Sequence, residues 1–258
     1  MKQILEFLNS HGSVRQFTDQ DVSSEDEATI IATAERSPTS SNLHAWSVIR
    51  TRDKATKKRL AELTGGQQHV AECPLFLIFC ADLHRLELLA RERDYAFNGE
   101  YVESFIVATV DAALAGSRAL MAAQALGMGG VMVGGIRNKP AEVSDLVKLP
   151  NLVYPVMGMS LGYPVKPPKV KPRLPVEGLA FSEAYDESKI TAAIAQYDET
   201  IAKLGYLRGR EVEPDKYPAF GGAYSWSEHT ARRMASTSPG VQRGHLLEFL
   251  RERGFLKK

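Results

Sequence analysis

The sequence predicts a mixed fold of helices and strands, in one large domain or two small ones, and three features carry that expectation. At 258 residues with a hydrophobic fraction of 44%, the chain can bury a sizeable core. The apolar run Pro74-Leu75-Phe76-Leu77-Ile78-Phe79 reads as a buried strand. Ser104 to Leu126 is long, rich in alanine and apolar around most of its circumference, as expected of a helix enclosed by other protein.

The remaining elements follow in order. Met1 to Leu8 is interrupted by Glu6 and does not read as a secretory leader. Ser24-Glu25-Asp26-Glu27 has the pattern of a capping box, and Ala28, Ile31, Ala32 and Ala34 give the following helix a partly apolar face. That helix ends near Ser37, which leaves Thr39, Ser40 and Ser41 in a loop. Trp46 to Arg50 reads as a strand, Lys54 to Leu63 as a helix and Leu75 to Phe79 as the central strand. In the long helix Asp111, Arg118 and Gln124 argue against a membrane span, while Ala112, Ala113, Ala115 and Gly116 permit close helix approach in a core or a dimer interface. Val131 to Val133 and Val153 to Leu161 read as strands, and Ser188 to Leu204 and Trp226 to Ala235 as helices. Pro164 to Pro175 and Arg208 to Gly222 read as loops or excursions, because proline and glycine punctuate both.

A balance of 32 basic to 31 acidic residues removes any global electrostatic argument for nucleic acid or an anionic membrane as partner. Cys73 and Cys80 bracket the central strand, whose rise keeps them apart, so they are expected to be reduced packing residues of a cytoplasmic protein. His44, His69, His84, His229 and His245 show no metal-ligand spacing, and no metal is expected.

Chemistry-bearing residues concentrate in three segments. In His11-Gly12-Ser13-Val14-Arg15 an extended backbone would send His11, Ser13 and Arg15 to one side, offering a hydroxyl and two potential cations to an anion such as phosphate. In Lys171-Pro172-Arg173-Leu174-Pro175 the prolines restrict the backbone, so Lys171 and Arg173 lose little freedom on binding. Each basic segment alone also fits solvated surface. Gly127 to Asn138 is an apolar run broken by glycine pairs, where backbone amides can approach a planar ligand or where the glycines simply admit tight packing. Neither the Rossmann nor the P-loop glycine spacing fits: the first would need glycine at Met132, and the second continues Ile136-Arg137 in place of Lys followed by Ser or Thr.

Together, in this order, these segments resemble the FMN-dependent nitroreductase family, closest to its larger NADPH-preferring nitroreductases and flavin reductases. Arg36-Ser37-Pro38-Thr39-Ser40-Ser41-Asn42, Leu63-Thr64-Gly65-Gly66-Gln67, Phe79-Cys80-Ala81-Asp82 and Tyr224-Ser225-Trp226-Ser227-Glu228-His229 add to the resemblance, which extends over nearly the whole chain. It implies an α+β, three-layer fold with a central, mainly antiparallel sheet flanked by helices, in an intertwined homodimer with the active site across its interface. It implies one domain over residues 1–258, with an excursion around 164–225 and a C-terminal helical extension. By resemblance His11, Ser13, Lys171 and Arg173 hold the FMN phosphate, and Arg15 and Gln67 lie nearer the ribityl chain or pyrimidine edge. Thr39, Ser40 and Ser41 line the ring, and the backbone of Val133, Gly134 and Gly135 approaches it. Many relatives carry His-Arg-Ser where this chain has His11-Gly12-Ser13, so one basic contact is missing, which makes loosely held cofactor an expectation.

Tyr206-Leu207-Arg208-Gly209-Arg210 offers guanidinium groups suited to the 2′-phosphate of NADPH, with Arg208 supported by the family and Arg210 as a neighbouring candidate; a solvated charge pair is the competing reading. His229 reads as a ligand-facing or an ordinary hydrogen-bonded histidine, and Trp226 as a packing anchor. The expected activity is two-electron transfer from NADPH to nitroaromatics, quinones or flavins by a ping-pong mechanism, with FMN carrying the chemistry in place of a catalytic side chain. The alternatives are a dedicated flavin reductase that supplies reduced FMN to a partner, and a noncatalytic flavin-binding sensor.

Overall fold

The computed structural model of the chain describes residues 2–217 and 224–258; Pro218 and Gly221-Gly222 of the expected loop region lie outside the described residues. The chain divides into two compact units, Met1–Lys169 together with Arg243–Lys258, and Val170–Gln242. In the first unit the order is α1 (Lys2–Asn9), α2 (Ser24–Glu35), β1 (Trp46–Thr51), α3 (Lys54–Leu63), α4 (Gln68–Glu72), β2 (Leu75–Asp82), α5 (His84–Glu92), α6 (Val102–Ala125), β3 (Gly129–Val133), α7 (Pro140–Leu146) and β4 (Val153–Gly162). The second unit holds α8 (Glu187–Leu204), α9 (Trp226–Ala235) and α10 (Pro239–Gln242), and α11 (Leu246–Glu252) belongs to the first.

The four strands form one sheet in the order β1-β2-β4-β3, and every pairing is antiparallel. All residues of β2 are buried, as required of a strand covered on both faces. Leu75, Leu77 and Phe79 pack with Ile30 of α2 and Ala115 and Ala119 of α6. Phe76, Ile78 and Cys80 face the other way, toward Leu60 of α3, Val70 of α4 and Val143 of α7. The sheet therefore lies between two helical layers, and each fully buried Phe or Leu side chain contributes about 1.5–3 kcal/mol to that sandwich. Cys73 and Cys80 are unpaired and buried, and burial pushes both thiols up.

Two local expectations are corrected. Ser23, not Ser24, caps α2, its hydroxyl accepting the Asp26 amide at 2.9 Å. The buried residues of α2 are Glu27, Ile30 and Ala34; of the expected face Ala34 is buried and Ile31 packs partly buried on the core, whereas Ala28 and Ala32 are exposed. Glu27 is tolerated inside because Arg50 and Arg52 donate to it at 3.0 and 2.5 Å.

α6 is long and apolar enough to cross a membrane by length and composition, yet one face of it is part of the core. Gly116 lets it approach the sheet: a Cβ there would stand 3.2 Å from Met157 Sδ and 3.4 Å from the Phe79 ring. Along the opposite face Ile106, Val110 and Leu114 recur at helical spacing and are 47%, 49% and 38% exposed.

Within the second unit, α8 and α9 are joined by the Ser227 amide and hydroxyl, which donate to the Asp198 carboxylate at 2.8 and 2.5 Å, and by Trp226 meeting Tyr197 edge-on at 5.2 Å. Trp226 is thus a packing anchor. α8 stops at Gly205, whose φ of +59° suits the left-handed cap that glycine adopts without strain.

Candidate functional site

The segment from His11 to Arg15 runs beside the edge strand β3, with the Val14 amide donating to the Gly130 carbonyl at 3.0 Å. Burial alternates as the spacing predicts: Gly12 and Val14 are buried, whereas His11 and Ser13 are partly exposed and Arg15 is exposed. The three polar side chains therefore share the outward side. His11 Nδ1 lies 3.3 Å from Gln124 Nε2, which fixes its ring against the end of α6.

Gly12 has a physical reason that the sequence does not reveal. A Cβ at this position would stand 2.7 Å from the Lys169 carbonyl oxygen and 2.7 Å from Pro168 Cβ. The 168–169 backbone occupies the space that any side chain at position 12 would need, so Gly12 is part of a different local packing and not merely a lost arginine.

The glycines of the 127–138 segment divide into two groups. A Cβ at Gly129 would meet Val14 Cγ2 at 2.4 Å, and one at Gly130 would meet the Ser160 carbonyl at 2.7 Å, so this pair serves close packing. Past the end of β3 the chain turns through Gly134–Arg137, and the Cβ direction of Gly134 meets only Arg137 Nη2, at 3.5 Å. Gly134 is partly exposed, whereas Gly135 and the side chain of Val133 are buried, so Val133 can serve a ligand only through its backbone.

Gln67 sits over that turn. Its Nε2 stands 2.5 Å from where a Cβ of Gly135 would be, and donates to the Thr64 carbonyl at 2.8 Å. Its Oε1 is 3.2 Å from His69 Nε2, and His69 Nδ1 is 3.0 Å from Ser160 Oγ. Burial pushes the pKa of His69 below its ordinary value, the nearby Arg15 charge adds to the effect and Glu72 opposes it. Gln67 and the Gly134-Gly135 turn are thus brought together, and Arg15, carried by the segment beside β3, is near enough for its charge to act on His69.

Thr39, Ser40 and Ser41 form a separate grouping, organised by a residue that sequence reading treated only as an interruption of α6. Asp111 is 1% exposed and lies under the loop. It accepts the Thr39 hydroxyl at 2.6 Å, the Ser40 amide at 3.2 Å and the Ala45 amide at 3.0 Å. Thr39 Oγ1 in turn accepts the His44 amide at 2.8 Å. Ser41, Asn42 and His44 all have positive φ, a conformation that non-glycine residues adopt only where the surroundings impose it. Pro38, Thr39, Ser40, Ile106, Val110 and Leu114 border a cleft of about 370 Å³, so the loop lies beside the exposed apolar row of α6. A buried acid in an alanine-rich helix is the one signal that could have singled out Asp111.

Lys171, Arg173, Arg208 and Arg210 belong to the second unit. Lys171 Nζ donates to Tyr206 Oη at 2.7 Å, which pulls the phenol pKa down, and the Arg210 guanidinium lies 4.7 Å from the centre of the same ring. Arg173 turns one nitrogen to the carbonyls of Lys171 and Pro172 and is otherwise exposed. Arg208 is exposed and borders a cleft of about 290 Å³ with Glu211 and Tyr224. His229 meets Tyr224 Oη through Nδ1 at 3.2 Å, and burial, with Arg233 and Arg210 nearby, lowers its pKa.

The first unit thus offers imidazole, hydroxyl and guanidinium on one side of an extended segment, an amide side chain over a glycine turn, and open space at Gly134. That donor set fits the phosphate and ring edge of FMN, and the glycine turn fits a flat ring. The model of the nitroreductase family matches residues 8–163, and that of the nitroreductase family C-terminal domain matches residues 171–258. An oxygen-insensitive NADPH nitroreductase of Salmonella typhimurium is 36% identical over 257 residues, covering 99% of each chain. An FMN reductase [NAD(P)H] of Bacillus subtilis is 34% identical, over 99% of this chain and 98% of the relative. The solved structure of Bacillus megaterium NfrA2 superposes with a TM-score of 0.88 at 33% identity, over 99% of this chain and 98% of that one.

Proposed function

The chain belongs to the nitroreductase family, and from that premise we propose how its residues serve an NADPH-driven, FMN-dependent oxidoreductase. FMN, when bound, would supply the two-electron chemistry between NADPH and a nitroaromatic, quinone or flavin acceptor in a ping-pong sequence. The observation that carries the assignment of residues is the meeting of Gln67 with Gly135 beside Arg15.

In this reading His11 and Ser13 bind phosphate, Arg15 places positive charge near the pyrimidine edge, and Gln67 donates to that edge from over the glycine turn. The open side of Gly134 and the backbone of Val133 and Gly135 receive the ring. Lys171 and Arg173 are assigned to the phosphate by resemblance alone, and Arg208 and Arg210 to the 2′-phosphate of NADPH. Thr39 and the Ser40 amide bond Asp111 within the chain, and the contribution of Thr39, Ser40 and Ser41 to the ring is assigned to a second copy, as the resemblance implies for an active site across the interface. The homodimer that this requires is supported by the apolar row Ile106, Val110 and Leu114 beside the loop, a surface of the kind that association covers. Residues 1–258 act as one functional domain, with the 164–225 excursion and the C-terminal helix as its additions. Unpaired buried cysteines support a cytoplasmic location.

A second reading, a dedicated flavin reductase, is favoured by the likeness to the B. subtilis FMN reductase. Chromatography of the flavin released on denaturation tests the cofactor assignment: stoichiometric FMN is expected, and FAD, or no binding after reconstitution with FMN, would remove it. Rapid reduction of free FMN with poor nitroaromatic and quinone turnover would select the second reading.

A further inference from the structure

Thr64, Gln67, His69 and Ser160 form a chain of hydrogen bonds in which each member dictates the next. The Thr64 carbonyl can only accept, so the Gln67 atom 2.8 Å away from it must be the amide nitrogen. That turns Gln67 Oε1 toward His69, where it can only accept, so His69 Nε2 carries the proton across the 3.2 Å contact. In a neutral ring Nδ1 is then bare and accepts the Ser160 hydroxyl at 3.0 Å. His69 and Ser160 are 8% and 0% exposed, so no bulk water competes for these positions.

The consequence falls on Gln67. One amide N–H is used by Thr64 and the carbonyl by His69, which leaves the second N–H on the side of the glycine turn, with no Cβ on Gly135 to obstruct it. The geometry points to His69 as a positioning residue: with its Nε2–H on Gln67 Oε1 and its bare Nδ1 accepting from Ser160, it helps the Thr64 carbonyl hold Gln67 so that a donor, not an acceptor, faces the flavin carbonyls. This rests on the reading that Gln67 contacts FMN. The ring itself touches no part of the flavin in this account, which separates its role from that of Arg15.

The test uses the full-length protein in its apo and reconstituted forms. In the apoprotein, ¹⁵N shifts of His69 should report Nε2–H; the Nδ1–H tautomer would overturn the proposal without any variant. FMN titration of apoprotein, followed by fluorescence quenching, is then compared for wild type, His69→Phe, His69→Gln, Gln67→Ala and the double variant His69→Phe/Gln67→Ala. Loss of one oriented hydrogen bond should weaken FMN binding about tenfold in His69→Phe. His69→Gln, which can present an amide N–H to Gln67, should recover most of that loss. In the Gln67→Ala background His69→Phe should cost less than about twofold, because the two residues act through one contact. An equal loss in both backgrounds would make His69 merely structural and overturn the proposal. Wild-type FMN binding that Gln67→Ala leaves unchanged would overturn the reading of Gln67 and the proposal with it.

Discussion

Removing the carboxylate of Asp111 should loosen the Ser40 loop, and its effect can be worked from three hydrogen bonds. In Asp111→Ala the Thr39 hydroxyl and the Ser40 and Ala45 amides lose acceptors at 2.6, 3.2 and 3.0 Å. At about 1.5–3 kcal/mol for each bond to an ionised group, the ceiling is about 4.5–9 kcal/mol. Removing a buried charge returns several kcal/mol of desolvation cost, and the exposed Ser40 can regain water. A net loss of about 3 kcal/mol is expected, and about 1–2 kcal/mol for Asp111→Asn, which keeps one acceptor oxygen. Urea unfolding at fixed protein concentration measures this, because assembly couples to apparent stability. Ser41, Asn42 and His44, all at positive φ, lie between the Ser40 and Ala45 anchors, so FMN retention should fall at least about tenfold alongside stability. A change under about 1 kcal/mol in Asp111→Ala would refute the anchoring role. A stability loss with unchanged FMN affinity would refute the link from the loop to the cofactor.

Gly12→Arg should restore the family's charge without tightening FMN, because its Cβ would collide with the Lys169 carbonyl and Pro168 at 2.7 Å; a destabilisation of about 1–3 kcal/mol is expected in thermal unfolding, and tighter FMN binding would contradict it. The lowered pKa of His69 makes stability pH-dependent in a definite sense. Below the ordinary histidine value of about 6.5 the unfolded ring takes up a proton that the folded ring refuses, so stability present above that value is lost as pH falls toward the lower folded pKa. The slope is at most about 1.4 kcal/mol per pH unit. His69→Phe should remove its share, leaving that of His229, which is shifted the same way; an unchanged slope would sink the assignment. Arg208→Ala should raise the KM for NADPH about tenfold and that for NADH far less, since only NADPH carries the 2′-phosphate. Arg210 already packs against Tyr206, so a selective NADPH defect in Arg210→Ala alone would move the phosphate site two residues along.

The elements with strong periodicity were legible in the sequence. The reading of Lys54 to Leu63 and Trp226 to Ala235 as helices matches α3 and α9, and the apolar run at Leu75 marks the central strand. α4 is five residues long and α7 seven, too short to show a helical repeat, and only packing on the sheet defines them. At the candidate site, the alternation of His11, Ser13 and Arg15 was legible because an extended chain has a period of two. The role of Asp111 was not, because its partners are an average of some seventy positions away in sequence. His69 was equally hidden: its link to Ser160 spans 91 positions, and nothing local marks it. The glycine run was conspicuous in the sequence, but tertiary contacts alone separate Gly129 and Gly130, which pack, from Gly134, which opens outward.

Anaerobic stopped-flow reduction of the purified FMN holoprotein separates the two half-reactions, with NADPH as reductant and a second mixing against a quinone, a nitroaromatic or free FMN. NADPH is expected to bleach the bound flavin in one half-reaction and the acceptor to restore its colour in the next, with NADP⁺ released between them. Bound flavin that NADPH fails to bleach, or bleached flavin that no acceptor reoxidises, would contradict that expectation.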